Sequence, residues 1–381
     1  MLVRRFYDER LAQASYLVGC ERTGEAIAVD PARNASQYVD AARRDGLRIT
    51  RVTETHIHAD FVSGTRELAA LTGATPLISA EGAPDWLYRW PDEDHPQFLR
   101  DGDRIEMGGV VIDVLHTPGH TPEHLSFIVT DRQRSDDPVA ILSGDFLFVG
   151  DVGRPDLLER AVGVADSAVP AARSLFRSLQ RLAPFPDYLQ VWPGHGAGSA
   201  CGKALGSLPT STLGYERRTN RALQANGEEE FVAAVLAGQP ASPPYFARMK
   251  AMNRDGPPIH GTVAVPILEA SALAGALQRG LVIDVRSTDA FARGHLAGTL
   301  NIPLTRAFTK WAGWLVPYDR ELYLLAPDET KVREAEVALA AIGHDMVVGG
   351  FGLDAIAARQ LAGNIRKTRR HPIADAPTLA D

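Results

Sequence analysis

Four times along this chain an apolar, strand-like run stops at a loop that carries histidine or aspartate, and few folds satisfy that pattern. The first run, Ile49-Thr50-Arg51-Val52, leads into Thr55-His56-Ile57-His58-Ala59-Asp60-Phe61. The second, Val110 to Leu115, leads into His116-Thr117-Pro118-Gly119-His120-Thr121-Pro122-Glu123-His124. Ile141-Leu142-Ser143 ends at Gly144-Asp145, and Val191-Trp192-Pro193 ends at Gly194-His195-Gly196. Short apolar runs bounded by turn residues read as buried strands. Loops at the ends of rigid strands are where open metal sites are built. Neutral imidazole is the commonest metal ligand, and two imidazoles beside a carboxylate hold a metal in an open pocket. One His-x-His-x-Asp run is a weak signal, since surface histidines are common; all four loops in this order are a strong one.

The rest of the pattern is mixed α and β. Residues 13–29 read as a strand pair, Gln13 to Gly19 and Glu25 to Val29, turning at Gly24. Asn34 to Asp45 is expected to be helical, with Gly46 as its stop. Ser63 to Leu71 reads as a helix capped by Ser63, Ala74 to Ser79 as a strand, and Val164 to Arg181 as a helix whose start Pro170 moves toward Val169. Between 236 and 260 lie Pro240, Pro243, Pro244, Pro257 and Pro258 with Gly238 and Gly256, a linker signature. Beyond it, strand-like Val265 to Leu268, Leu281 to Val285, Glu321 to Ala326 and Met346 to Val348 alternate with helical Ala270 to Arg279 and Lys331 to Ile342. That alternation predicts an α/β domain with a parallel sheet. The polar tail after Asn364 is expected to be poorly ordered.

A chain of 381 residues is long enough for two ordinary domains. Its 45% hydrophobic and 23% charged residues are globular composition. A net charge of -7 argues against a nucleic-acid or anionic-membrane surface. No apolar run approaches the length of a membrane span, and Met1 to Glu9 has no apolar core behind its basic residues, so no secretory signal is expected. With Cys20 and Cys201 alone there is no disulfide framework, and a reducing, cytoplasmic setting is expected.

The four histidine and aspartate loops together resemble the metallo-β-lactamase superfamily over about residues 1–255. That resemblance implies an αββα sandwich with the metal site at one edge of its two sheets. The family's first motif usually reads HxHxDH; here its last position is Phe61. Gly150 to Leu157, Gly194 to Lys203 and Gly214 to Asn220 resemble the persulfide dioxygenase branch, with the glyoxalase II branch its nearest sibling. Phenylalanine cannot donate to a metal, which favours one metal per chain. The resemblance then implies His56, His120 and Asp145 as the facial triad of a non-haem Fe(II) oxygenase. His58 and Asp60 would lie beside the triad and orient it, His58 being open to a role as fourth ligand. His195 would stand at the open side, bonded to water or substrate. The implied reaction oxidises a low-molecular-weight thiol persulfide, such as glutathione persulfide, with O2 and water to sulfite and thiol. The alternative is a zinc-dependent hydroxyacylglutathione thioester hydrolase. Arg154, Lys203, Tyr215, Arg217 and Arg218 are the candidate substrate contacts, since a basic rim suits the two carboxylates of glutathione. Cys201 is either a substrate contact or a buried inert thiol, and His116 and His124 are taken as structural. Neither nucleic acid nor membrane is an expected partner, and a homo-oligomer is compatible with the pattern.

A second resemblance covers about residues 262–365. Leu281-Val282-Ile283-Asp284-Val285-Arg286 and Phe291 to Pro303 are similar to the rhodanese fold. Active members carry a cysteine directly after the central strand, in a loop of N–H groups that stabilises a thiolate. Here Ala326-Pro327-Asp328-Glu329 follows Leu322 to Leu325, and no cysteine lies beyond Cys201. The expectation is three segments: a metallo-β-lactamase-fold domain at 1–255, an inactive rhodanese-like docking module at 256–365, and a flexible tail at 366–381.

Overall fold

The computed structural model describes residues 1–261, 264–361 and 365–366. The expected flexible tail therefore lies outside the described residues save for Arg366. The chain separates into two compact units, Met1–Ile259 and His260–Asp381.

The first unit holds two six-stranded sheets. One runs in chain order through β1 (Leu2–Asp8), β2 (Gln13–Cys20), β3 (Glu25–Val29), β4 (Arg48–Thr53), β5 (Thr75–Ser79) and β6 (Gln97–Leu99). The other comprises β7 (Arg104–Met107), β8 (Val110–His116), β9 (Leu125–Asp131), β10 (Ala140–Gly144), β11 (Gln190–Pro193) and β12 (Ser211–Thr212). Side chains alternate across a strand, so each strand serves two layers. Tyr16 and Val18 face Val29 and Ile27 across the β2–β3 register. They pack with Val110, Ile112, Phe127 and Leu142 of the second sheet in one core between the sheets. The opposite face of the first sheet, with Leu17 and Ala28, is covered by α1 (Ser36–Arg44) and α2 (Thr65–Thr72) through Tyr38, Ala41 and Leu68. The outer face of the second sheet, with Ile128, Ile141 and Val191, is covered by two helices. After α3 (Leu157–Val162), these are α4 (Ala168–Gln180), through Leu175 and Leu179, and α6 (Glu228–Leu236), through Phe231 and Val235, with the short α5 (Leu213–Thr219) between. The layers are αββα.

Strand direction sets the site. β9 is antiparallel to both β8 and β10, and β11 is parallel to β10, so β8, β10 and β11 end at the same edge. The first sheet is tied to that edge by an N–H donated from Ala14 to Gly194 O at 2.7 Å and from Leu125 to Thr55 O at 2.7 Å.

Three expectations are corrected. Ser63 is not the N-cap of α2, which is Gly64; its hydroxyl donates to Glu54 and accepts from the N–H of Thr65, the first residue of the helix, at 3.1 Å. The proline-rich stretch is not all linker, since it contains α7 (Phe246–Asp255), which buries Phe246, Met249, Lys250 and Asn253 in the first unit. Val265 to Leu268 forms only an isolated bridge, Ile267 to Gly350, not a strand.

The second unit is a four-stranded parallel sheet. Its strands are β13 (Leu281–Asp284), β15 (Thr299–Asn301), β16 (Leu322–Leu325) and β17 (Val347–Phe351), in the order β15-β13-β16-β17. A small antiparallel pair, β14 (His295–Leu296) with β18 (Ile365–Arg366), lies apart from it. Its helices are α8 (Leu273–Arg279), α9 (Thr288–Arg293), α10 (Phe308–Leu315), α11 (Glu329–Ala340) and α12 (Leu353–Leu361). Among the described residues of the chain, no helix is long and apolar enough to cross a membrane.

Tyr38 links the outer helix to the loop that follows β3. Its hydroxyl is buried, lies 2.6 Å from Ser15 Oγ, and accepts from Ala32 N at 2.7 Å. Tyr38→Phe leaves the part-buried Ala32 N–H and the buried Ser15 hydroxyl without this partner and should destabilise the unit by about 1–3 kcal/mol. A thermal melt should fall by roughly 2–4 °C per kcal/mol at this size; an unchanged midpoint would show that these bonds contribute nothing.

Candidate metal centre

His56, His120 and Asp145 meet at the common edge of the two sheets. One donor atom from each lies within 4.8 Å of the others, and all three residues are buried. His56 follows β4, His120 sits in the loop after β8, and Asp145 follows β10. Asp145 Oδ2 is 3.9 Å from His56 Nε2 and 3.5 Å from His120 Nε2.

Hydrogen bonds fix which ring nitrogen faces inward. The Thr55 hydroxyl donates to Asp30 Oδ2 at 3.0 Å, so it is left to accept from His56 Nδ1 at 2.9 Å. His120 Nδ1 donates to the carbonyl of Arg154 at 3.1 Å. Both Nε2 lone pairs are thereby turned to Asp145 Oδ2, which is buried and has no hydrogen-bond partner. Burial lowers the pKa of His56 well below the usual histidine value, helped by His58 and His120. Burial also lowers His120, to about 4, against the pull of Asp145. Both imidazoles are neutral, which is the form that binds metal. Two neutral imidazoles and a carboxylate oxygen, all bare and convergent, fit a divalent cation.

Asp145 is held from two sides. Its N–H donates to His124 Nε2 at 3.1 Å, and Oδ1 accepts from His195 Nδ1 at 2.7 Å. His195 Nε2 donates to Asp60 Oδ2 at 2.8 Å. Burial opposes charge on His195, but Asp145 and Asp60 together raise its pKa well above the usual value. Burial likewise works to raise Asp145, and His195 overcomes it and keeps the carboxylate ionised. Gly153 makes room for this packing: a Cβ there would lie 1.7 Å from Asp145 O and 3.0 Å from His120 Cβ.

A second donor group, Asp60, His195 and Cys201, also falls within 4.8 Å. Burial and then the charges of Asp60 and Asp145 raise the Cys201 thiol well above its usual pKa, so it is protonated near neutral pH. Phe61 is buried with its ring 4.4 Å from that of His58 and adds no donor.

His58 turns Nε2 to Asp30 Oδ1 at 3.0 Å, and its Nδ1 is buried without a hydrogen-bond partner. Asp30, which the sequence analysis did not single out, also accepts from Thr55 N at 2.6 Å. Its signal was present: Val29-Asp30 is a further apolar strand ending in an acid. His124, expected to be merely structural, positions Asp145, whereas His116 bonds Pro122 O at 2.8 Å, away from the donors.

The expected basic rim is not assembled. Arg154 is fully buried and grips Asp156 through two bonds, 3.0 and 2.7 Å; it serves the centre through its carbonyl. Lys203 donates to the carbonyls of Ala234 and Ala237, at the C-terminal end of α6. Arg217 holds Asp187 and the carbonyls of Leu182 and Phe185, which precede β11 and so lie at the end of that strand opposite His195. Tyr215 and Arg218 are exposed on α5.

The Metallo-beta-lactamase superfamily model matches residues 8–195. A metallo-beta-lactamase structure from Staphylococcus aureus subsp. aureus COL is 43% identical, with a TM-score of 0.85, covering 92% of this chain and 99% of that one. A hydroxyacylglutathione hydrolase from Rhodopseudomonas palustris is 32% identical over 62% of this chain and 80% of its own length. A mitochondrial persulfide dioxygenase ETHE1 from Bos taurus is 27% identical over 60% of this chain and 78% of its own. Other curated relatives are covered less fully, to 54% and 61% of their length. The chain belongs to the metallo-β-lactamase superfamily.

His120→Ala and Asp145→Ala should each abolish stoichiometric metal binding, because a three-donor site does not tolerate the loss of one donor. His124→Ala should retain binding at about 10–100-fold lower affinity, since it removes only support for Asp145. Metal content after dialysis and chelator competition measure both; full occupancy in either of the first two variants would mean that other residues are the ligands.

Proposed function

We propose that the chain is a mononuclear non-haem iron persulfide dioxygenase, oxidising a low-molecular-weight thiol persulfide such as glutathione persulfide with O2 and water to sulfite and the parent thiol. The observation that carries this is the donor set: two neutral imidazoles, His56 and His120, with Asp145, and Phe61 where a second metal would need a histidine. Bound Fe(II) would supply the redox chemistry with O2, and the open positions of a facial triad would leave room for substrate. His195 keeps a proton between Asp145 and Asp60 at the rim of the donors. Cys201, with its sulfur within 4.8 Å of a His195 ring nitrogen, remains a thiol. His58 and Asp60 act on the donors through Asp30 and His195. Similarity to the Bos taurus persulfide dioxygenase supports this reading.

A second reading, a zinc hydroxyacylglutathione hydrolase, is favoured by the Asp60, His195 and Cys201 group, which could take a second metal, and by the 32% identical relative. Iron-loaded protein should bind one metal per chain, consume O2 with glutathione persulfide and release sulfite, while the zinc form should consume none, since zinc has no redox chemistry. Two tightly bound metals with anaerobic cleavage of S-lactoylglutathione would replace the dioxygenase with the hydrolase.

The second unit is read as a rhodanese-like docking module without a nucleophile. Ala326, at the end of β16, is buried and donates its N–H to Phe351 O at 3.0 Å. Asp328 accepts from Lys331 N at 2.9 Å as the cap of α11, placing a carboxylate where an anionic persulfide would need N–H donors. The whole chain should therefore form no thiocyanate from thiosulfate and cyanide; turnover above the protein-free rate would refute this. The two free cysteines accord with a cytoplasmic setting.

A further inference from the structure

Arg154, Lys203 and Arg217, expected at the rim, are held by other groups, yet one cation on the helix that packs against the metal loop is not. Lys250 lies on the buried face of α7, in phase with Phe246, Met249 and Asn253. That face closes on the metal loop. Tyr245 donates its hydroxyl to Asp60 O at 3.0 Å. Asn253 Nδ2 donates to His58 O at 2.8 Å and Phe61 O at 2.7 Å, and its Oδ1 accepts from Ser63 N at 2.9 Å. Lys250 sits between these two anchors and is 5% exposed. Its Nζ stands 4.5 Å from the centroid of the Trp86 ring. Among the described residues no hydrogen bond or ion pair holds that ammonium.

Both anchors are to the segment directly after His56, so α7 packs against the loop that carries this donor. Burial brings Lys250 down to about 8, with the charge of Glu123 opposing, so it is mostly charged at neutral pH. Lys250 is 5% exposed and, among the described residues, no protein group bonds its ammonium, so that charge is left available to an anionic ligand. The aromatic face of Trp86 stabilises the cation while leaving its N–H groups unsatisfied.

We propose that Lys250 is the anion-holding residue of this centre, its ammonium pairing with the anionic sulfur of the substrate beside His56, His120 and Asp145. This rests on the persulfide reading, because the terminal sulfur of a persulfide carries a full negative charge at the reacting atom. A thioester presents a neutral carbonyl there and leaves Lys250 unpaired. The group sets specificity by charge.

The test uses the full chain loaded with cobalt(II), titrated with azide as the anionic probe and imidazole as the neutral one, and followed by visible absorption. Lys250→Met should weaken azide at least tenfold and leave imidazole within twofold. Lys250→Arg should recover most of the azide affinity. Azide binding unchanged in Lys250→Met, or azide and imidazole weakened alike, overturns the proposal. If Lys250→Met does not fold, Lys250→Gln removes the same charge and is judged by the same two outcomes. An iron-loaded wild type that takes up no O2 with glutathione persulfide would defeat the persulfide reading while the cobalt titrations still judge Lys250. A Lys250→Met enzyme with wild-type KM for glutathione persulfide overturns the role of Lys250 and leaves the dioxygenase standing.

Discussion

The centre depends on keeping one carboxylate oxygen of Asp145 bare in a dry interior. A buried carboxylate oxygen ordinarily finds a donor, and an unpaired one is costly. Here the other polar atoms of the three donor residues are bonded elsewhere. His124 takes the Asp145 N–H, His195 takes Oδ1, and Thr55 and the Arg154 carbonyl take the outer nitrogens of His56 and His120. What remains is an oxygen and two imidazole lone pairs facing one another. The repulsion among those lone pairs is relieved by a cation, so the protein is built around a charge it does not itself contain.

The charges next to the donors are arranged with the same economy. His195 bridges Asp145 and Asp60, so one protonated ring neutralises much of two carboxylates. Asp30 does the corresponding work on the other side, fixing both His58 and the Thr55 backbone from a left-handed conformation at φ 51. The donors are thus oriented by partners drawn from both sheets, and neither sheet alone could hold them.

Much of this was legible in the sequence because strand ends announce themselves. The apolar runs before His56, His120, Asp145 and His195 are buried strands or their continuations, and the turn residues after them set the loops. Three things were not legible. Arg154 looks like a surface cation in sequence, but only the structure shows Asp156 chelating it and its carbonyl serving His120. Lys250 sits among prolines that mark a linker, and a helix of ten residues inside such a stretch gives little periodicity to read. Lys203 and Arg217 carry the right chemistry, but their partners are carbonyls of α6 and of the segment before β11, which no local pattern reports.

Asn253 closes on the backbone of His58 and Phe61 across 195 and 192 residues of chain, and Ala14 reaches Gly194 from near the other terminus. Contacts so distant in sequence form late, because loop closure precedes any gain from them. During synthesis the loop carrying His56 emerges early, while the helix that clamps it is among the last parts of the first unit to be made. Its ligands are therefore scattered on a nascent chain and gather only when the unit is whole. The donor cluster is in this respect completed by the closing act of folding, and a chain stalled before α7 lacks the bonds that fix the loop after His56.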